Sequence, residues 1–209
     1  MEKTMRRFLV LALPALLACA AAHAEYDPRA GDVIFHTSRS AQSLAIQKAT
    51  NSPYSHMGIV FLLDGAPMVY EAVQPVKFTP LADWTRRGDG GRFVVKRLVD
   101  ADRLLSPATL DRMLEEGRAF EGRPYDLRFE WSDAYVYCSE LVWKIYNRAL
   151  GIEIGKLQTV SEFDLSHPAV QATIRARWEG QPSPQEPVIS PSPCSRARCL
   201  KRCMRSSLP

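Results

Sequence analysis

The stretch that most limits how this chain can fold is a pair of apolar runs joined by Asp64-Gly65. Ser55–Leu63 reads as a strong strand, and Ala66–Val73 returns as the next one. Asp-Gly is a favoured two-residue hairpin turn because both positions must adopt positive φ. A two-residue turn sets the register, so facing residue numbers sum to 129. Glu71 then lies opposite Gly58, and Val73 opposite His56. Side chains alternate along a strand, so His56, Gly58, Glu71 and Val73 share one face. Glu71 becomes the diagonal neighbour of His56, at roughly 7–8 Å between backbones and within reach of a long side chain. Gly58 leaves space between the two. One more residue in the loop would turn Glu71 to the other face.

The remaining elements follow from shorter signals. Gly31–His36 reads as a turn and a first strand. Ser38–Ala49 has loose helical spacing with Ser38 or Ser40 as N-cap, and Pro53 closes that segment. Val76–Thr79 extends the sheet, Pro80–Arg87 is a short helical or looped crossover, and Arg92–Leu98 is a further strand. Ser106-Pro107 opens a helix with serine as cap and proline at the first position. Leu110, Met113, Leu114, Gly117 and Phe120 mark its inner stripe. An aromatic-rich loop, 123–134, leads to a helix over Cys138–Leu150 with Leu141, Val142 and Ile145 inward and Gly151 as C-cap. His167-Pro168 begins a last helix.

The two ends of the chain differ from this middle. Lys3, Arg6 and Arg7, the apolar run from Phe8 to Ala18 and Ala22-His23-Ala24 have the order of a secretory signal peptide over residues 1–24. Leu16-Leu17-Ala18-Cys19 also resembles a lipobox, which would make Cys19 a lipid-bearing residue. Both routes take the mature chain to the periplasm, to the outside or, as a lipoprotein, to a membrane surface. Residues 181–209 are rich in proline, serine and arginine and read as a disordered tail. That leaves residues 25–180 as the folded domain. The formal charge of +4 comes from the ends: the leader contributes +2 and the tail +4, so the domain carries −2. A domain of that balance is not a nucleic-acid binder. The basic tail and Cys19 are its two routes to an anionic membrane or cell-wall polymer.

Five cysteines are present. Cys19 lies in the leader and Cys194, Cys199 and Cys203 in the tail, which leaves Cys138 alone in the domain. A lone cysteine is either a buried, inert apolar residue or a nucleophile. Its place at a helix N-terminus favours the thiolate, since free backbone N–H groups and the helix dipole stabilise negative charge there. The same N–H groups can form an oxyanion hole. A thiol nucleophile also needs a base. Four histidines are available: His23 is in the leader, His167 precedes a proline, and His36 and His56 remain. His56 is favoured because Glu71 can fix its tautomer. His36, His56, Glu71 and Cys138 are all zinc-ligand types, but no tight ligand pair occurs, so no metal or other cofactor is expected.

Four motifs stand in a fixed order: Ser55-His56-Met57-Gly58, Tyr70-Glu71-Ala72, Pro124-Tyr125-Asp126 and Tyr137-Cys138-Ser139-Glu140-Leu141. This series resembles the permuted papain-like amidases of the YiiX/YaeF type, within the NlpC-type branch of papain-like hydrolases. The likeness spans about residues 31–165. It implies an α+β, circularly permuted papain-like fold with a small antiparallel sheet or partial barrel packed on the nucleophile helix. It also implies Cys138 as nucleophile, His56 as base and Glu71 as orienting residue, with the shared face of the hairpin aimed at the thiol. Tyr125 and Tyr137 match aromatic positions beside the site and are candidate substrate-binding residues.

The expected activity is a cysteine hydrolase acting on an amide of peptide, amino-acyl or cell-wall type. Two alternatives stand beside it. One is a lipid acyltransferase or thioesterase using the same triad, which a wide apolar groove beside Cys138 would favour over a narrow polar cleft. The other is a non-catalytic binding module of the cell envelope. The substrate is accordingly an amide- or ester-containing small molecule, a cell-wall peptide or a lipid.

Overall fold

The computed structural model describes residues 26–197 and 199–205. The expected leader and Cys19 lie outside the described residues. Six strands form one antiparallel sheet in the order β4-β3-β2-β1-β5-β8. Its strands are β1 (Val33–His36), β2 (His56–Leu63), β3 (Ala66–Glu71), β4 (Lys77–Pro80), β5 (Phe93–Leu98) and β8 (Leu200–Arg205). The helices are α1 (Ala41–Thr50), α2 (Leu81–Arg86), α3 (Ala101–Leu104), α4 (Pro107–Arg118), α5 (Cys138–Leu150), α6 (Pro168–Arg177) and α7 (Pro191–Arg196). Two-residue strands β6 (Gln158–Thr159) and β7 (Pro187–Val188) pair separately.

The hairpin forms as its turn chemistry requires. Asp64 and Gly65 have φ of 50° and 79°, and Leu63 pairs with Ala66 and Ile59 with Tyr70. β3 ends at Glu71, so Val73 does not reach His56, whose ladder partner is His36 of β1. Local caps hold too. Ser40 Oγ accepts from Ser43 N and Ser106 Oγ from Thr109 N, which supplies partners for orphan helix donors. Gly151 closes α5 in the left-handed region at φ 68°.

The sheet buries both faces. Phe35, Met57, Ile59 and Tyr70 point to the main core, where Met113 of α4 and Leu141, Val142 and Ile145 of α5 pack. Ile34, Val60, Val69 and Val95 point the other way, under Trp84 of α2. By alternation His56 and Glu71 belong to the Trp84 face and not to the face that carries α5. Their face is therefore not aimed at the thiol. His56 reaches α5 because it is the first residue of β2, at the end of the sheet, where the helix N-terminus abuts.

The segment after Gly180 departs from the expected disordered tail. It supplies β7, α7 and β8, and β8 pairs antiparallel with β5 from Leu98↔Leu200 onward. Ile189, Cys194 and Leu200 are buried. The proline-, serine- and arginine-rich composition suggested disorder, but the few apolar residues of the segment sit at those contact points. Without β8, β5 would present an unpaired strand edge, which a returning segment can cover even when its composition is mostly polar.

Candidate active site

Cys138 is the first residue of α5, and its thiol is buried at 2% exposure. The helix start is held by Glu140, not by a side-chain cap from a small polar residue. Glu140 Oε2 accepts from Tyr137 N at 3.4 Å and Oε1 from Ser132 N at 3.2 Å. Its carboxylate also pairs with Lys144 Nζ at 2.7 Å, one turn on, and both side chains are buried. Burial pushes the Glu140 carboxyl up to about 7 despite the lysine. The glutamate of the Tyr-Cys-Ser-Glu motif is thus a fastener for the loop that delivers Cys138.

The His56 ring spans two partners. Nε2 lies 2.7 Å from Glu71 Oε2. Cys138 acts on the same imidazole through charge and hydrogen bonding, and the Met57 backbone N–H adds to the stabilisation of the sulfur. Burial alone would hold the imidazole neutral, but the charge and hydrogen bond of Cys138, with those of Glu71, raise His56 to about 9. Burial alone would raise the thiol; the His56 charge and hydrogen bond outweigh it and lower Cys138 below the ordinary range. The two shifts together describe a thiolate–imidazolium pair.

Glu71 has no exposed surface. It accepts hydrogen bonds from Thr79 Oγ1 at 2.6 Å, Trp84 Nε1 at 2.8 Å and Arg87 Nη2, besides His56. Burial works to raise its pKa, yet the His56 and Thr79 bonds and the Arg87 charge bring it down to about 2. It is an anion with every lone pair engaged. Thr79, Trp84 and Arg87 escaped the sequence reading, because no local pattern marks a residue that touches a carboxylate one or two strands away. Gly58 is the space between His56 and Glu71. A Cβ there would come within 2.8 Å of Tyr70 O and 3.4 Å of Glu71 Cβ.

His36 is not the base. Its ring sits 5.1 Å from His56 and 4.3 Å from Trp84, centroid to centroid. It is buried with no partner for either nitrogen. Burial first, then the His56 and Arg87 charges, lower it to about 3, so it stays neutral. His167 caps α6 through Nδ1 and takes no part in the site.

Tyr125 hydroxyl accepts from Gln42 Nε2 at 3.0 Å, and burial and the Cys138 charge raise its pKa. Tyr137 is buried, its ring lies 5.3 Å from Phe129, and its hydroxyl accepts from Ile189 N at 3.0 Å. Ser139 Oγ donates to Ile189 O at 2.8 Å. The residues on either side of Cys138 therefore clamp the chain at Ile189, so the C-terminal segment forms one wall of the site. Beside Cys138 opens a cavity of about 120 Å³.

A thiol on a helix N-terminus, an imidazole on the sheet and a carboxylate behind it define the papain-like class of cysteine hydrolases, here with histidine before cysteine in the chain. Comparison with known proteins agrees. The family described as "Permuted papain-like amidase enzyme, YaeF/YiiX, C92 family" matches residues 27–197. The protein called "Uncharacterized protein YiiX" from Escherichia coli strain K12 is 44% identical over 166 residues, covering 79% of this chain and 81% of the relative. A crystal structure described as metalloprotein YiiX from Escherichia coli O157:H7 superposes with a TM-score of 0.82 at 42% identity, over 87% of this chain and 99% of that one. The chain belongs to the permuted papain-like amidase family YaeF/YiiX.

Proposed function

We propose that the protein hydrolyses an amide through an acyl-enzyme on Cys138, with His56 as acid and base and Glu71 as its orienting partner. The observation that carries this reading is the 2.7 Å His56–Glu71 contact on an imidazole that also interacts with the Cys138 thiol. Cys138 Sγ attacks the carbonyl carbon and forms the C–S bond. Backbone N–H groups at the α5 N-terminus support the oxyanion. The C–N bond breaks as imidazolium His56 hands its proton to the leaving amine. Neutral His56 then takes a proton from water, whose oxygen displaces Sγ and releases the acid. Glu71 holds Nε2–H in place throughout.

The solved YiiX relative is described as a metalloprotein. The donor set in this chain does not suit a resident metal. Both Glu71 oxygens are taken by four donors, His56 Nε2 among them, and no cluster of three or more candidate ligands occurs among the described residues.

The expected setting, from the leader sequence, is the periplasm, the cell exterior or an envelope surface. Acyl transfer or thioester cleavage by the same groups is the second reading, and the apolar cavity beside Cys138 favours it. Intact-mass analysis after mixing with an activated acyl donor tests the first. A Cys138-linked acyl adduct that water clears, and that Cys138→Ala lacks, is expected. Turnover retained by Cys138→Ala would sink the mechanism, and transfer to an added alcohol in preference to water would move the protein to the second reading.

A further inference from the structure

We propose that Cys194 and Cys199 form a disulfide that holds α7 against the start of β8. Cys194 lies within α7 and is buried; Cys199 directly precedes β8 and is half-buried. Both thiols turn to the same short piece of chain. Cys194 Sγ donates to Ile154 O at 2.9 Å, and Cys199 Sγ to Glu153 O at 3.9 Å. Gly155 leaves room for this approach: a Cβ on it would come within 3.1 Å of Cys194 Sγ. Between the two cysteines the backbone folds back on itself. Ala197 N donates to Cys194 O and Leu200 N to Ala197 O, so the chain turns tightly on either side of Ala197. Cys199 is also pinned to the sheet, since Val99 N donates to its carbonyl at 2.9 Å.

The other thiols are worse partners. Cys203 lies farther along β8, where an extended strand sets it roughly 13 Å from Cys199, against a Cα separation of about 7 Å at most for a disulfide. Cys138 is engaged with His56. Burial raises both Cys194 and Cys199 above the ordinary thiol range, so neither is a nucleophile of the Cys138 kind. Half-buried Cys199 is the one an oxidant can reach. Its thiolate attacks one sulfur of a small disulfide such as oxidised glutathione and releases one thiol; Cys194 then attacks Cys199 Sγ and displaces the second. Two protein thiols are oxidised and one disulfide is reduced to two thiols. Because α7 begins directly after Ile189 and Ser190, the bond anchors the segment that Tyr137 and Ser139 clamp.

The test incubates the folded full chain with oxidised glutathione, alkylates it without reduction and digests it with trypsin. Arg196, Arg198, Lys201 and Arg202 divide Cys194, Cys199 and Cys203 among separate peptides, so mass spectrometry reads each linkage directly. The Cys194 peptide joined to the Cys199 peptide is expected, lost on reduction and absent from Cys199→Ser. The thermal midpoint of the oxidised chain is expected about 4–8 °C above that of the reduced chain, a rise that Cys199→Ser does not show. The linkage map of the wild-type chain decides the pairing even if that variant folds poorly. Cys194 joined to Cys138, Cys199 joined to Cys203, a disulfide-linked dimer, or Cys194 and Cys199 recovered as free thiols or glutathione adducts overturns the proposal. A Cys194–Cys199 linkage with no rise in the midpoint overturns the hold on α7.

Discussion

Replacing Glu71 with glutamine isolates the role of the buried carboxylate charge. The amide keeps the size of the side chain and one acceptor oxygen, and removes the anion that faces His56 Nε2 at 2.7 Å. With charge centres about 4 Å apart and an effective dielectric of about 20, the lost attraction for imidazolium is up to about 4 kcal/mol. Arg87 stays behind without its counter-ion. It repels His56 but also attracts the thiolate, so about half of that energy, ~2 kcal/mol, is the expected shift in the thiolate–imidazolium balance. This corresponds to about 1.5 pH units. The sign follows from the wild-type shifts: Cys138 is lowered and His56 is raised to about 9, and both favour the ion pair. The assay is the rate of iodoacetamide alkylation at Cys138 against pH. In Glu71→Gln the acid-side midpoint should rise by about 1–2 units, with the rate near pH 6 falling about 10- to 100-fold. The cost in stability is expected at roughly 2–3 kcal/mol, since the amide nitrogen meets donors where the carboxylate met none of its own kind. A thermal melt run alongside separates the two effects. An unchanged alkylation profile in a folded Glu71→Gln protein would refute the idea that this carboxylate tunes the pair.

Gly58→Ala should lower stability by about 1–3 kcal/mol, because its Cβ meets Tyr70 O at 2.8 Å, and should lower activity further by parting β2 from β3; thermal melts and steady-state rates check both. The site also shapes the pH dependence of folding. Glu71, lowered to about 2, stabilises above its unfolded value of 4.5 and loses that as pH falls toward 2. His56, raised to about 9, stabilises fully below 6.5 and loses it as pH rises through 9. His36, lowered to about 3, acts the opposite way, its contribution declining as pH falls below 6.5. Their sum peaks near pH 6.5, and His36→Phe should flatten the acid limb of a urea-unfolding series measured against pH. Ending the chain after Ala197 removes β8 and the buried Leu200, at a cost of about 2 kcal/mol or more, and should leave β5 prone to self-association, visible by gel filtration.

What the sequence determined by itself is what neighbours along the chain decide. Asp64-Gly65 sets the hairpin register because both turn residues must take positive φ, and register in turn puts His56 and Glu71 on one face. Ser106-Pro107 and Gly151 bound their helices because orphan backbone groups must be satisfied within a turn. Family likeness added the pairing of that hairpin with Cys138. Tertiary structure decided the rest. Which sheet face carries His56 depends on how α2 and α5 divide the two sides, and the ring meets the thiol only because β2 begins where α5 begins. Thr79, Trp84 and Arg87 gather on Glu71 because a buried carboxylate must be fully hydrogen-bonded, a demand that names no partner in advance. The polar stretch after Gly180 folds because a strand edge and a gap beside Cys138 await covering. Such demands arise only once distant segments meet, so local propensity is silent about them.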